Sequence, residues 1–397
     1  MTLTHHRKEP PTAIDLGADS SRSEQDRPEG PSSAPFERAN AAFRQLRFEG
    51  VDALRRMQGA ALESFGFGPN ECPYTIVASG PYWRLRDYGP GNGSRPLLIV
   101  GAPIKRPYIW DLTPNISAVR YCRNHGLHVH LLEWLPASAQ GPEVGIDECV
   151  AAVSTCLARI ESASGSSPVL MGHSLGGTLA AFAAAAEPDA MRGLVLLGAP
   201  LCFEPHGSQF RDALVSLVPP GISYLGPCPG SVLSEMSALA SPDTFIWSRL
   251  MDAAISVADA RTMEVHVRVE RWALDEVALP GKLVGEIIER LYRENRFGRG
   301  ILKVGERIIG PTSLSVPVLA VVNKADAVAP LKSVRSIADA AASNKFQIVE
   351  YAGESGVCLQ HLGILVGREA FAQIWPRIIS WIDAQMRHSD WTAKPAD

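Results

Sequence analysis

The sequence predicts an α/β fold: a mostly parallel sheet covered by helices on both faces and interrupted by a large helical insertion. Three observations carry this expectation. Short apolar runs alternate with helical stretches along the chain, the rhythm of βαβ units whose strands are buried on both faces. One apolar run passes through Gly172-His173-Ser174-Leu175-Gly176 directly into an alanine-rich helical run. Finally, about 115 residues between Ala199-Pro200 and Val316 break the rhythm and are rich in helix formers.

Residues 1–35 are polar, proline-rich and without periodicity, so disorder is expected there. From Phe36 the apolar positions Ala39, Phe43, Leu46, Leu54, Met57 and Ala61 recur at helical intervals, giving one helix, or two broken near Gly50. Gly66 and Gly68-Pro69 stop it. Tyr74–Ala78 and Tyr82–Tyr88 flank Ser79-Gly80-Pro81 as a hairpin would. The runs Leu97–Val100, Leu127–Leu132, Val169–Met171, Leu194–Leu197, Val318–Val322 and Phe346–Val349 read as strands. The helices between them fall near Ile146–Ile160, Thr178–Ala186 and Leu331–Ala342, and helical residues return from Glu369 to Met386. The expected organisation is a disordered 1–35, a helical region 36–70, an α/β core over 71–200 and 316–386, a cap or lid over 201–315, and a flexible tail 387–397.

The chain has 397 residues, beyond the roughly 250–300 at which a single core stops growing. One domain with a sizeable insertion, or two domains, is therefore expected. Apolar residues make up 46% and charged residues 20%, an ordinary globular composition. A net charge of −4 gives no electrostatic reason for a nucleic-acid partner. The mean hydropathy is +0.02, yet no stretch is long and charge-free enough to span a bilayer. The opening MTLTHHRKEPP has no apolar stretch behind its charges, so a cytoplasmic chain without a secretory signal is expected. Seven cysteines, an odd number without a CxxC spacing, read as free thiols. Cys149 and Cys156 share a helix face and are expected to be buried. His125, His128 and His130 come nearest to a metal pattern, but a buried or edge histidine pair is the expectation, and neither metal nor cofactor is predicted.

Gly-His-Ser-Leu-Gly at 172–176 fits G-x-S-x-G. Entered from Pro168-Val169-Leu170-Met171 and left through Gly177-Thr178-Leu179, it is the strand–turn–helix of a nucleophile elbow. The turn exposes the Ser174 hydroxyl at a helix N-terminus, where the N–H of Leu175 faces a developing oxyanion. A serine hydroxyl is a weak nucleophile at neutral pH, so it needs a base, and the base needs an orienting carboxylate. In an α/β-hydrolase fold these follow in the order Ser, Asp/Glu, His. Of the histidines downstream, His388 lies in the tail and His266 alternates with valines inside the insertion. His361 follows a late strand and loop and is the expected base. Asp326, in the loop after Val318–Val322, is the expected carboxylate, with Asp275 in the insertion as its rival. The second oxyanion donor is expected in Gly101-Ala102-Pro103-Ile104-Lys105. Pro103 has no N–H, which leaves Ile104 or Ala102. His173 is read as a packing residue of the elbow.

With these residues in place, the chain resembles the polyhydroxyalkanoate synthases, a family of α/β-hydrolase-fold enzymes. Pro96–Val100 leading to Tyr108-Ile109-Trp110-Asp111-Leu112-Thr113-Pro114 is similar to that family's early strand and DLxP segment. Gly126–Trp134 resembles its next strand. Trp272-Ala273-Leu274-Asp275 and Leu291-Tyr292-Arg293-Glu294-Asn295 resemble parts of its cap. Asp326-Ala327-Val328-Ala329-Pro330 and His361-Leu362-Gly363-Ile364 resemble its catalytic aspartate and histidine segments. The likeness is collinear over roughly residues 75–385.

Two positions depart from the family. Ser174 stands where the synthases carry cysteine, and Ala327 where they often carry histidine. An acyl-serine is an oxygen ester, downhill from its thioester donor, so the serine weakens the case for chain growth. The resemblance then implies a serine acyl-enzyme that takes a 3-hydroxyacyl or fatty acyl group from a thioester, on CoA or a carrier protein, and passes it to an acceptor. It also implies a homodimer and contact with a polymer or lipid granule surface. A hydrolase, either a thioesterase or a hydroxyalkanoate esterase, is the alternative within the enzymes. A non-catalytic granule- or lipid-binding protein is the alternative outside them.

Overall fold

A computed structural model describes residues 34–90, 95–221 and 226–387. The segment expected to be disordered falls outside these residues except for Ala34 and Pro35, which open the first helix, and His388 also lies outside them. The chain divides into two units, Met1–Phe43 and Arg44–Asp397. In the first, Ala34–Phe43 is helical. The second holds the rest of that helix, α1 (Ala34–Leu62), which runs without a break through Gly50.

Eight strands form the central sheet: β1 (Thr75–Gly80), β2 (Trp83–Asp87), β3 (Arg95–Val100), β4 (Leu127–Trp134), β5 (Val169–His173), β6 (Gly193–Leu197), β7 (Val318–Asn323) and β8 (Phe346–Tyr351). Their spatial order is β1-β2-β4-β3-β5-β6-β7-β8. β1 and β2 pair antiparallel, as do β2 and β4, and every later neighbour is parallel. The expected hairpin and all six expected strands are present.

The parallel strands are apolar throughout because both faces are covered. Leu98, Val100, Leu170, Leu194, Leu196 and Ala320 pack on one face against α3 (Ile146–Ser164) and α4 (Leu175–Ala186). Leu97, Ile99, Val129, Met171, Val195 and Val321 pack on the other, where α2 (Ala118–Asn124) and the C-terminal helix contribute Val119, Trp375 and Ile378. Cys149 and Cys156 are buried in the first of these cores. All twelve residues of α4 are buried, so its run of alanines matches a helix sunk into the centre of the molecule.

Between β6 and β7 the chain is helical: α5 (Gln209–Leu217), α6 (Gly230–Ala240), α7 (Ser248–Ser256), α8 (Ala260–Ala273) and α9 (Gly281–Glu286). His266 lies within α8, so its alternation with valines belongs to a helix face and not to a strand. The end of this segment turns back into the sheet's core. Leu291, Phe297, Leu302 and Leu314 join the residues under α4, with the Phe297 and Phe182 rings 4.9 Å apart. After β7 come α10 (Leu331–Ala340), α11 (Gly363–Val366) and α12 (Trp375–Arg387). Among the described residues no helix is long and apolar enough to cross a membrane.

Candidate active site

β5 ends at His173 and α4 begins at Leu175, so a single residue, Ser174, makes the whole turn. Its backbone sits at φ 54°, ψ −134°, a conformation that costs an L-residue energy and recurs at functional sites. The flanking glycines are required by close approach. A Cβ on Gly172 would fall 2.6 Å from the Cα of Gly177, and one on Gly176 would fall 2.4 Å from the carbonyl oxygen of Val100. The elbow is thereby pressed against the end of β3, whose following loop is the one expected to carry Ile104. The turn is anchored by the Ser174 N–H on the Leu197 carbonyl (3.1 Å) and by the Thr178 N–H on the Ser174 carbonyl (3.0 Å).

Asp326 and His361 come together across 35 residues of sequence. Nδ1 of His361 donates to Oδ2 of Asp326 at 2.7 Å. The other oxygen, Oδ1, accepts the N–H groups of Val328 (2.8 Å) and Ala329 (3.2 Å). Burial would raise this carboxyl, but the His361 charge and hydrogen bond, with the two backbone donors, hold it below the usual carboxylate range. An ionised Asp326 keeps the proton of His361 on Nδ1 and leaves Nε2 as the acceptor. That Nε2 is buried without a hydrogen-bond partner among the described residues.

Ser174, Leu175, Ala102, Ile104 and His361 all line one cavity of about 500 Å³. Its remaining wall comes mainly from apolar residues of the helical segment. The rival residues are engaged elsewhere. Asp275 faces Arg271 (3.5 Å) and Arg106 (4.0 Å), and His266 lies beside Glu270 (3.9 Å). His128 bonds Asp87 (2.7 Å), with the His130 ring 4.3 Å from its own.

A family model described as the α/β hydrolase fold matches residues 114–218. The poly(3-hydroxyalkanoate) polymerase subunit PhaC of Haloferax mediterranei is 26% identical over 337 residues, covering 83% of this chain and 66% of that protein. The subunit of the same name from Synechocystis sp. is 24% identical over 344 residues, covering 84% and 89%. The chain is thus similar to the polyhydroxyalkanoate synthases and has the α/β-hydrolase fold. It spans just under two thirds of the Haloferax protein's length. A crystal structure of a candidate lipase from Sulfolobus solfataricus has the same fold, with a TM-score of 0.50, 16% identity and coverage of 79% of this chain and 99% of that one.

Two of the segments that resemble the family turn out to brace the loop after β3. The Trp272 indole N–H donates to the Arg106 carbonyl (2.7 Å), and Trp134, at the end of β4, donates to the Gly101 carbonyl (2.7 Å). Next to the Trp272 segment, Glu276 is 4% exposed. It holds Lys105 (2.7 Å) and Arg55 (3.0 Å). Lys105 also donates to the Ala273 carbonyl (2.6 Å).

Sequence reasoning missed Glu276, and it missed Gly198. A Cβ on Gly198 would lie 3.3 Å from Asp326 Oδ2 and 3.7 Å from His361 Cε1, and its φ is +51°. His173 does more than pack: its Nε2–H donates to the carbonyl of His361 (2.8 Å), fixing the backbone of the expected base. No local pattern signals these contacts, because each joins residues far apart in the chain.

Proposed function

We propose that this chain is a serine acyl-transfer enzyme acting on acyl thioesters. Ser174 Oγ attacks the thioester carbonyl while His361 Nε2 takes its proton. The resulting oxyanion is stabilised by the N–H of Leu175 and by that of Ile104 or Ala102. As the tetrahedral species collapses, the C–S bond breaks and His361 returns the proton to the departing thiolate. The product is an ester of Ser174 and a free thiol. In the second half His361 deprotonates the acceptor, which attacks the ester and regenerates the serine hydroxyl. Asp326 holds the imidazole in the required tautomer throughout.

The observation that carries this reading is the 2.7 Å bond between Asp326 and His361, whose ring lines the same cavity as the strained, half-buried Ser174. Similarity to proteins named poly(3-hydroxyalkanoate) polymerase subunits supports a 3-hydroxyacyl or fatty acyl donor on CoA or a carrier protein. The oxygen nucleophile favours transfer to a single acceptor or to water over chain growth. The test is incubation with 3-hydroxybutyryl-CoA and longer homologues, with mass analysis of acid, ester and polymer, alongside a serine-directed phosphonate. One adduct on Ser174, lost in Ser174→Ala, and thiol release that falls with it, are expected. Undiminished thiol release from Ser174→Ala would overturn the assignment.

A further inference from the structure

The cavity beside Ser174 is larger than a four-carbon acyl group requires. Its far wall is built from α5, α6 and the segments that follow, with Phe210, Leu214, Leu233, Met236, Phe245 and Ile288 facing in. Phe210, Leu214 and Ile288 belong to a buried cluster with Val218, Val232 and Val284, so this part of the wall is backed by packed side chains and is already formed without a ligand. Several of the polar groups at its margin are engaged within the protein. Ser231 Oγ donates to the Phe48 carbonyl (3.1 Å) and Ser234 Oγ to Glu276 (2.8 Å). Lys105 and Arg55 are held by Glu276, and Arg249 by Glu270. Such a wall suits a hydrocarbon tail better than the amide-bearing arm of a thiol carrier.

We infer that the cavity is an acyl-tail pocket selecting linear chains of roughly eight to twelve carbons over four-carbon ones, by volume and apolar lining. The inference rests on reading Ser174 as the residue that accepts the acyl group. A methylene-sized group fills roughly 30 Å³, close to a water's share of the liquid, so about 500 Å³ holds a dozen carbons with room for the carbonyl end. A four-carbon group leaves most of the wall facing water. Each further methylene buried strengthens binding about fourfold, as an upper value for a fully apolar site.

Two measurements test this. Decanoic and butyric acids are titrated calorimetrically into Ser174→Ala, which needs no turnover. Decanoate binding tighter by about a hundredfold or more is expected; equal affinity, reversed affinity or no binding of either acid overturns the pocket. The second is kcat/KM for p-nitrophenyl decanoate against the butyrate, in the native protein, in Leu214→Trp and in Leu233→Phe. Circular dichroism establishes that each variant is folded. These esters carry no thiol arm, so they report the tail alone. The native protein should favour the decanoate, and each filled wall should lower the decanoate-to-butyrate ratio by about tenfold or more. Loss shared equally by both esters would mean that the wall serves something other than the tail and overturns the inference. Decanoate binding with no phosphonate label on Ser174 would instead overturn the catalytic reading and leave the pocket standing.

Discussion

At Ser174 the main chain is held at a positive φ because β5 must give way to α4 within one residue. Strain of this kind persists only where the surroundings over-determine it, and here Gly172, Gly176 and Gly177 pack too closely for any Cβ. Ser174→Ala should therefore fold normally and lose turnover by about 10⁴–10⁶, measured as thiol release from an acyl-CoA. Asp326→Asn removes the charge that fixes the His361 tautomer and should cost about 10⁴ in kcat. Adding it to Ser174→Ala should cost almost nothing more, since groups acting as one unit are non-additive; losses that multiplied would separate the two residues. Gly198 lies against both partners. Gly198→Ala imposes about 1–2 kcal/mol of backbone strain and crowds Asp326 Oδ2 at 3.3 Å. Its kcat should fall by about 10–100-fold, with a modest drop in melting temperature read by calorimetry.

The loop after β3 takes its shape from α1 and from the end of α8 rather than from its own sequence. Glu276 receives both Lys105 and Arg55, and burial pushes the Lys105 ammonium below its usual range against the pull of Glu276. Removing one member of a buried pair leaves the other charge uncompensated, typically at about 3–5 kcal/mol. Glu276→Ala should lower the urea midpoint accordingly, and Glu276→Gln, which keeps the shape and loses the charge, should fall between the two. If this loop supplies an oxyanion donor, as proposed above, both should lower kcat for a short ester more than they raise KM. A KM effect alone would assign the brace to substrate binding.

For the molecule as a whole, acid sensitivity is expected from buried histidines outside the His361–Asp326 pair. Burial, reinforced by the neighbouring His361, pushes His173 down to about 3, and burial likewise lowers His266. A histidine whose folded pKa lies below its unfolded value binds its proton more readily in the unfolded chain. Stability from these sites is complete above about pH 6.5 and declines as the pH falls toward the folded values, by up to about 1.4 kcal/mol per pH unit for each group. Asp326, also lowered, acts in the same direction only below about pH 4. Urea unfolding at pH 7.5 and 5.5 should show the protein less stable at the lower pH, and the difference should shrink in His266→Gln. An unchanged midpoint across that interval would mean that these rings take up protons without unfolding.

The strands, the hairpin and the elbow could be read from the sequence because each obeys a local rule. A strand buried on both faces needs an unbroken apolar run, and a one-residue turn from strand to helix needs small neighbours. Ser174, Asp326 and His361 were named from that local grammar and from chain order, and the fold brings the last two within 2.7 Å. What surrounds them was decided only in three dimensions. The donor that fixes the His361 backbone lies 188 residues away, the brace on the loop after β3 comes from Glu276, and Gly198 is tight only because β6 ends beneath the pair. The cavity is likewise a space between helices that are distant in sequence, so no stretch of residues records its size. Local backbone demands are written in local sequence; charge pairing, close approach and empty volume depend on which distant segments meet, and the packing of the whole chain sets that.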